Sequence, residues 1–257
     1  MTTAVPAFVL PLPLHPEVTA FSTLRAGGVS RGEYASFNIC PYTGDRPENI
    51  EINRHLLAAF LGIPDSHIAL PHQTHSTEVR RLDTPAALHT LRGVDALITD
   101  KPHLCVGVST ADCIPVLLYD AAHRAVAAIH AGWRGTIGRI VERTISMMQK
   151  EYDTRPAALF AAIGPGISGN AYEVGDELPG LFSEAGFPMG EIAFKTGGHY
   201  HLDLPRANTL ELIRLGVPAD HIHRCNLCTY THHQRFFSAR RQGIRSGRIF
   251  TGILIPN

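Results

Sequence analysis

Residues 106–136 constrain the fold more than any other stretch of the chain. They contain three short apolar runs, at residues 106–108, 114–118 and 125–129, and each run is followed by a loop or turn. Short apolar runs bounded by turn residues are typical of buried strands. We therefore predict three buried strands that lead into a helix. One face of that helix is formed by Ile137, Ile140, Val141, Thr144, Ile145 and Met148.

Two residues at the ends of these strands, Cys113 and His130, have side chains that bind metal ions. Cys113 follows the loop at residues 109–112, and His130 directly precedes the glycine-containing turn at residues 131–135. That turn opens a helix, and the free N–H groups at a helix N-terminus favour an anion. Arg134 would strengthen such a site, because a guanidinium forms paired hydrogen bonds with phosphate or carboxylate. The stretch thus predicts metal ligands beside an anion site.

Two more histidines, His72 and His75, lie in a loop that precedes an alternating strand at residues 77–82. A zinc site that performs chemistry has three protein ligands and leaves a fourth position for water or substrate. One histidine from this loop, together with Cys113 and His130, would complete that set if the loops meet at the ends of neighbouring strands. Solvent-exposed histidines are the alternative, and the residues alone leave both open.

Composition excludes several classes of function. The 23 Lys and Arg residues balance the 23 Asp and Glu residues, so we expect no binding to nucleic acid or to a membrane. The odd number of cysteines, five, indicates free or metal-bound thiols in a reducing compartment. The N-terminus has no basic region and no run of about 18 apolar residues occurs, so we predict a cytoplasmic protein. Without a linker or repeat, residues 1–257 are predicted to form a single domain.

A helix is predicted at residues 47–61, since Pro47 stands at its start and Gly62 follows its end. Arg54 lies near the edge of the apolar face of this helix, where an unpaired charge would be costly. Arg54 therefore needs an anionic partner, which is either a structural carboxylate or a substrate.

Motifs spread through nearly the whole chain resemble those of one family. They are RAGGVS (25–30), SFN (36–38), GD (44–45), NR (53–54), QTHS (73–76), DALIT (95–99), ADCIPVLLYD (111–120), HAGWRGT (130–136), IGPGIS (163–168), CTY (228–230) and FFSARR (236–241). In these motifs the sequence resembles the laccase-domain family, also described as multicopper polyphenol oxidase-like, purine nucleoside phosphorylase and peptidoglycan editing factor proteins. It departs from the family pattern at Ala239 and Gln242, where a tyrosine and an aspartate are common.

The resemblance implies a fold, a metal site and a type of chemistry. The fold would be α/β, with a single-domain α-β-α layered arrangement and a mixed sheet. The metal ligands would be His75, Cys113 and His130, the last two also catalytic, and the metal would be zinc, with copper as the alternative. The activities would be phosphorolysis of adenosine, inosine and methylthioadenosine, together with adenosine deamination. A nucleoside and phosphate would then be the binding partners, while the oligomeric state is not indicated.

Under this interpretation, further residues receive roles. A zinc ion with one thiolate and two imidazole ligands lowers the pKa of a bound water molecule, which suits deamination. Phosphorolysis needs a bound phosphate, which Arg134 could hold, and an acid near the leaving base, for which Asp112 and His72 are candidates. Asn38 and Arg54 are candidates for contacts to ribose or phosphate, with turn capping and structural pairing as the alternative.

The C-terminal third offers further candidates, each with a structural alternative. Phe237 could stack on a purine and Arg240 could bind phosphate, while core packing is the alternative for the phenylalanine. The histidines at residues 199 and 201 resemble a copper pair, yet strand alternation alone places both on one face. A structural zinc site at residues 225–228 is not expected, because this CxxC motif has no second cysteine pair.

Three other functions stay open at this point. The first is a cysteine hydrolase that acts on an amide, such as a peptidoglycan precursor, with Cys113 as nucleophile and His130 as its base. The second is a copper-dependent polyphenol oxidase. The third is a nucleotide-binding interaction protein, which would bind its ligand without turnover. A chelator separates the hydrolase from a metal enzyme, because only the metal enzyme loses its activity.

Overall fold

A computed structural model describes residues 5–86 and 88–256 of the chain. Its first elements are β1 (Val9–Pro11), β2 (Thr19–Thr23), α1 (Pro47–Leu61), β3 (Ile68–Ala69), β4 (Glu78–Arg81), β5 (Val94–Thr99), β6 (Cys105–Thr110), β7 (Ile114–Asp120), β8 (Ala125–Ala131), α2 (Trp133–Ile137) and α3 (Ile140–Tyr152). The next are β9 (Leu159–Ile163), β10 (Glu173–Val174), α4 (Glu177–Glu184), α5 (Met189–Ile192), β11 (Ala193–Thr196), β12 (His199–Leu202), α6 (Leu204–Arg214), β13 (Ile222–Arg224), α7 (Ala239–Gln242) and β14 (Ile249–Leu254).

A six-stranded mixed sheet carries two of the predicted strands at its centre. Its strand order is β13-β9-β7-β8-β5-β4. The outer pairs β13 with β9 and β4 with β5 are parallel, and the remaining pairs are antiparallel. All residues of β7 and β8 are buried, which agrees with their continuous apolar sequence. The register pairs Ile114 with Ala131 and Pro115 with His130, so Cys113 and His130 lie at the same edge of the sheet.

A five-stranded sheet packs face to face against the first. Its strand order is β1-β2-β14-β6-β3, in which the pair β3 and β6 is parallel and the other pairs are antiparallel. One buried apolar cluster lies between the two sheets, with Val106, Val108 and Ile253 from this sheet and Leu117 and Val126 from the six-stranded sheet. A small antiparallel sheet has the order β10-β12-β11, and its Leu202 packs in the buried cluster on the outer face of the six-stranded sheet.

Helices cover the outer faces of the two large sheets. Ile140, Ile145 and Met148 of α3 join the buried cluster on the outer face of the six-stranded sheet, together with Leu212 of α6. On the other side, Leu57 of α1 packs in one cluster with Phe250 of β14. The layers therefore follow the order helix, sheet, sheet, helix.

The predicted α/β class and layered arrangement are confirmed, but the middle layer contains two large sheets instead of one. The consecutive strands β6 and β7 belong to different sheets, because the loop at residues 111–113 carries the chain from one to the other. Both strands are buried along their whole length, so their apolar pattern does not distinguish one sheet from two. Within the described residues, every helix is too short or too polar to cross a lipid bilayer. A single domain over residues 1–257 stays a prediction.

Candidate metal centre

Three sequence-distant side chains meet at one edge of the six-stranded sheet. The ligand atoms of His75, Cys113 and His130 all lie within 4.8 Å of one another. His130 is the second-last residue of β8, Cys113 stands directly before β7, and His75 lies in the loop before β4. The Cys113 Sγ atom is 3.8 Å from the Nε2 atom of His75. The predicted convergence of these three residues is thus present in the structure.

The backbone around these side chains is tightly constrained. His75 and Asp112 have positive φ angles of 60° and 91°, a conformation that few residues other than glycine adopt. At Gly132, a Cβ atom would lie 3.0 Å from the Cys113 Sγ atom and 3.1 Å from the Cδ2 atom of His75. A side chain at position 132 would therefore occupy the space beside the ligand atoms, which explains the glycine there.

Asp95, at the start of β5, connects two of the three ligand loops. Its fully buried carboxylate accepts a hydrogen bond of 2.7 Å from Nδ1 of His130. The same carboxylate accepts 3.0 Å bonds from the backbone N–H groups of Thr74, His75 and Ser76, and one of 2.9 Å from the Ser76 hydroxyl. Because Nδ1 is engaged, Nε2 of His130 is the nitrogen left for a metal ion, and this arrangement is common around metal-binding histidines.

Charges at the centre favour the ionised forms of its side chains. Burial acts to raise the pKa of the Cys113 thiol, but His130 and His75 beside it outweigh that effect and lower the pKa. Burial acts to lower the pKa of His130, but the adjacent Cys113 thiolate and Asp95 raise it. Burial would raise the pKa of Asp95, and its bond from His130 together with the loop N–H groups keeps it below the ordinary value. A thiolate is the form of cysteine that binds metals.

The donor set fits a catalytic transition-metal site. One thiolate and two imidazoles suit zinc or copper, whereas magnesium and calcium prefer oxygen ligands. Three protein ligands leave one coordination position for water or substrate, as in catalytic zinc sites. His75 is exposed and Cys113 is half-buried, so substrate can reach this side of the centre.

The three side chains open into a cavity of about 410 Å³. A cavity of this size accommodates a small organic molecule. Its walls are formed by loops that follow β6 and precede α7, and by the segment before β10. The residues that line it are Tyr42, Gln73, His75, Ser109, Thr110, Ala111, Asp112, Cys113, His130, Ile167, Tyr172, Ala239, Arg240, Ile244 and Arg248.

The two predicted acid candidates occupy different positions. Asp112 lines the cavity, but its carboxylate accepts bonds of 2.6 Å from the Thr229 hydroxyl and 2.7 Å from the Arg240 backbone N–H. Asp112 therefore fastens the C-terminal loops to the metal centre. His72 stacks on the ring of Tyr42 at a centroid distance of 4.3 Å and lies behind the cavity wall rather than among its lining residues.

The two predicted anion-binding arginines also differ in position. Arg240 lines the cavity, with its guanidinium 5.3 Å from the centre of the Tyr172 ring and its Nη1 donating to the Glu173 carbonyl. Arg134 is exposed and packs over the ring of its neighbour Trp133 at 4.2 Å. The positive charges of both arginines act to lower the pKa of Tyr172, so both contribute positive charge on this side of the cavity.

Three predicted substrate contacts do not lie at the cavity. Asn38 is fully buried, and its side chain bonds to Thr43, Asp45 and two backbone N–H groups. Arg54 donates to the carbonyl oxygens of Asp65 and Ile68. Phe237 is fully buried in a small cluster with Phe236 and Ile249. Asn38 and Phe237 thus have structural roles, because their groups are satisfied inside the protein, while Arg54 is held by two carbonyl oxygens away from this cavity.

Replacing Phe237 should affect stability rather than substrate binding. We expect Phe237→Leu to lower the free energy of unfolding by about 1–2 kcal/mol, because it removes buried apolar volume. Urea denaturation measures this change. The matched variant Tyr172→Leu, in the cavity wall, should instead weaken ligand binding with a smaller stability change. The reverse pattern would place Phe237 at the substrate.

The multi-copper polyphenol oxidoreductase laccase family matches residues 19–256 of this chain. The chain belongs to this family. A Bacteroides thetaiotaomicron protein named purine nucleoside phosphorylase is 44% identical over 251 residues, which cover 94% of this chain and 93% of that protein. A protein named adenosine deaminase RL5, from an unknown prokaryotic organism, is 41% identical over 245 residues, which cover 92% and 93% respectively. The crystal structure of the hypothetical protein YfiH from Bacillus licheniformis matches with a TM-score of 0.91 at 28% identity, over 99% of this chain and 98% of that one.

The laccase family description names several copper ions, whereas the part of the chain that the structure describes offers one group of ligands. In residues 5–86 and 88–256, His75, Cys113 and His130 form the one group of three or more His, Cys, Asp or Glu side chains positioned to share an ion. His201 is buried with its Nδ1 atom bonded to the Gly169 carbonyl, and His199 lies near Glu173.

Sequence reasoning missed Asp95, Tyr172 and Arg248. Asp95 had a signal, because a carboxylate inside an apolar strand must find hydrogen-bond donors when it is buried. No sequence signal pointed to Tyr172 or Arg248, since they lie in loops whose path depends on the folded structure. Arg248 lines the cavity and its guanidinium bonds to the carbonyls of Ile244, Ser246 and Gly247, which fixes the loop that forms this wall.

Proposed function

We propose that this protein is a zinc-dependent purine nucleoside phosphorylase that acts on adenosine, inosine and methylthioadenosine and also deaminates adenosine. The observation that carries the proposal is the convergence of His75, Cys113 and His130 in a cavity large enough for a nucleoside. The names of two relatives, a purine nucleoside phosphorylase and an adenosine deaminase, supply the two reactions. The five cysteines are free, which supports the further proposal that the protein acts in the cytoplasm.

His75, Cys113 and His130 would hold the zinc ion. When bound, zinc supplies Lewis-acid chemistry, which polarises a substrate or makes a water molecule more acidic. Asp95 keeps the His130 ring in a fixed orientation and tautomer through the bond to Nδ1. It also fixes the backbone of the His75 loop through three N–H groups, so the His130 ring and the His75 backbone are held before any ligand arrives.

Substrate binding would involve the opposite wall of the cavity. Tyr172 and Ile244 offer an aromatic ring and an exposed aliphatic side chain, and both suit the flat face of a purine. Burial, followed by the nearby Cys113, raises the pKa of Tyr172 to about 12, so its hydroxyl keeps its proton and can donate a hydrogen bond. Arg240 stands beside Tyr172 and would bind phosphate near the ribose.

The proposal is tested by phosphate-dependent release of hypoxanthine from inosine and by phosphate-independent release of ammonia from adenosine. Purified protein with one equivalent of zinc should catalyse both reactions, and a chelator should abolish both. Zinc added back should restore them. If neither reaction occurs with zinc or copper present, the proposed function is wrong.

Arg240 should matter for phosphorolysis but little for deamination. We expect Arg240→Gln to raise KM for phosphate about ten-fold, because a charge-assisted hydrogen bond is lost. Deamination uses water instead of phosphate, so its kcat/KM should change by less than about three-fold. Initial rates at varied phosphate concentration measure the effect. The control variant is Arg241→Gln, at the exposed neighbouring arginine, which should leave KM for phosphate unchanged. If Arg134→Gln raises KM for phosphate and Arg240→Gln does not, the phosphate is assigned to Arg134.

A second candidate function is a cysteine hydrolase that acts on an amide such as a peptidoglycan precursor. The lowered pKa of Cys113 and its 3.8 Å approach to His75 favour this alternative, because both features also activate a cysteine nucleophile. The two functions respond differently to reagents. A chelator should leave a hydrolase active and a thiol alkylator should inactivate it, whereas zinc should protect Cys113 of the metal enzyme from the alkylator.

A further inference from the structure

A second cavity, of about 510 Å³, lies beside β3, the edge strand of the five-stranded sheet. It is bordered by α1 and by the segment that contains β3. Seven of the ten residues that line it are aliphatic or proline, and the other three are Glu51, Arg54 and Ser66. None of these ten lines the metal-centre cavity. The apolar members are Pro41, Pro47, Ile50, Ile68, Leu70, Pro85 and Ala86.

Arg54 is the unusual member of this wall. Its side chain is half-buried, and its Nη2 atom donates to the carbonyl oxygens of Asp65 at 3.2 Å and Ile68 at 3.0 Å. These two bonds hold the guanidinium at the cavity wall without neutralising its charge. Among the described residues, no carboxylate lies within 4.0 Å of Arg54, and its Nε and Nη1 atoms have no acceptor.

A partly desolvated cation without an anionic partner is costly, so its surroundings call for an anion. Burial lowers the pKa of Arg54, while the more distant Asp65 raises it without forming an ion pair. Glu51 also lines the cavity but is exposed and forms no ion pair with Arg54 among the described contacts. The cavity therefore combines an apolar wall with one fixed donor group that has hydrogen atoms to spare.

We propose that this cavity binds a small carboxylate with an apolar body, whose carboxylate group pairs with Arg54. The Nη1 group of Arg54 is free to donate a charge-assisted hydrogen bond to one oxygen of a carboxylate. The aliphatic and proline side chains provide the surface on which the apolar body is buried. A nucleoside fits this cavity less well, because the wall offers few polar partners for the ribose hydroxyls. The site is separate from the proposed nucleoside reactions and does not depend on them.

Isothermal titration of the full-length, zinc-loaded protein with octanoate tests the site. We expect octanoate to bind, and Arg54→Gln to weaken its binding about ten-fold or more, because a charge-assisted pair is lost. 1-Octanol, which lacks the charge, should bind more weakly than octanoate and be insensitive to Arg54→Gln. Glu51→Gln removes a nearby negative charge, so it should leave octanoate binding unchanged or strengthen it.

Two further variants keep the test decisive. Ser66→Trp places a large side chain in the cavity from an exposed position, so it should block octanoate even if Arg54→Gln does not fold. Cys113→Ala, which removes a metal ligand, should still bind octanoate, because the carboxylate does not use the metal. Nucleoside turnover should persist in Arg54→Gln. The proposal is overturned if octanoate does not bind or if Cys113→Ala abolishes its binding. It is also overturned if neither Arg54→Gln nor Ser66→Trp weakens octanoate binding, or if octylamine binds in place of octanoate through Glu51.

Discussion

Cys113→Ala should remove the bound metal and lower kcat/KM for inosine phosphorolysis by about a thousandfold. The thiolate is one of three ligands, and His75 and His130 alone leave too few donors to retain zinc at neutral pH. A Lewis-acidic metal contributes several kcal/mol to transition-state stabilisation, and a thousandfold loss corresponds to about 4 kcal/mol. Metal content by mass spectrometry and steady-state phosphorolysis on the same preparation measure both effects.

The control for this variant is Cys225→Ala. Cys225 is also free and half-buried, but it follows β13 and is not part of the metal group. Its replacement should leave metal content and turnover unchanged. If Cys113→Ala keeps its metal and loses turnover, Cys113 acts in the reaction by a role other than metal binding. If Cys113→Ala keeps both metal and turnover, the proposed metal enzyme is wrong.

Several helices and strands were predictable because their signals are local. The helix predicted at residues 47–61 is observed as α1 with the same bounds, since Pro47 and Gly62 mark its two ends in the sequence itself. Gly62 adopts a left-handed φ of 67°, as expected for a residue that ends a helix. The three apolar runs in residues 106–136 became β6, β7 and β8 for the same reason.

The convergence of the three ligand side chains was predictable from the positions of strand ends. The carboxylate that orients them, Asp95, was not predictable in this way. Each ligand lies where a strand meets a loop, and such positions collect at one edge of a sheet. The contact of Asp95 with His130 depends on the register of β5 on β8, which pairs Ala96 with Ile129. Register is set by long-range packing, and the sequence of two apolar strands does not reveal it.

Three predicted substrate contacts lie away from the metal-centre cavity for a common physical reason. Arg54 was expected to need an anion, either a structural carboxylate or the substrate, and the fold instead holds it by two backbone carbonyls at a different cavity. Phe237 and Tyr172 are both aromatic residues near glycines, yet Phe237 is fully buried and Tyr172 lines the cavity. Residue type indicates what a side chain can do, whereas the tertiary path of the loops decides which one reaches the substrate.

Asp95→Asn should weaken zinc binding by about 10–100-fold, the usual effect of removing a group that orients a metal-binding histidine. It should also lower the free energy of unfolding by about 3 kcal/mol. The carboxylate accepts bonds from His130, three backbone N–H groups and one hydroxyl. An asparagine accepts through one oxygen only, and its NH₂ group faces donors, so buried N–H groups lose their acceptor. Competition with a zinc-binding dye and urea denaturation measure the two changes.

Asp120→Asn is the matched control for this variant, because Asp120 has the same kind of environment at the far end of β7. It is fully buried and accepts bonds from two backbone N–H groups and from Nδ1 of His123 at 2.9 Å. Its replacement should destabilise the protein by a comparable mechanism while zinc affinity stays unchanged. An equal loss of zinc affinity in both variants would mean that Asp95 acts through general stability. A loss of zinc affinity in Asp95→Asn alone, measured at urea concentrations well below the unfolding transition, would show that Asp95 orients His130 and the His75 loop.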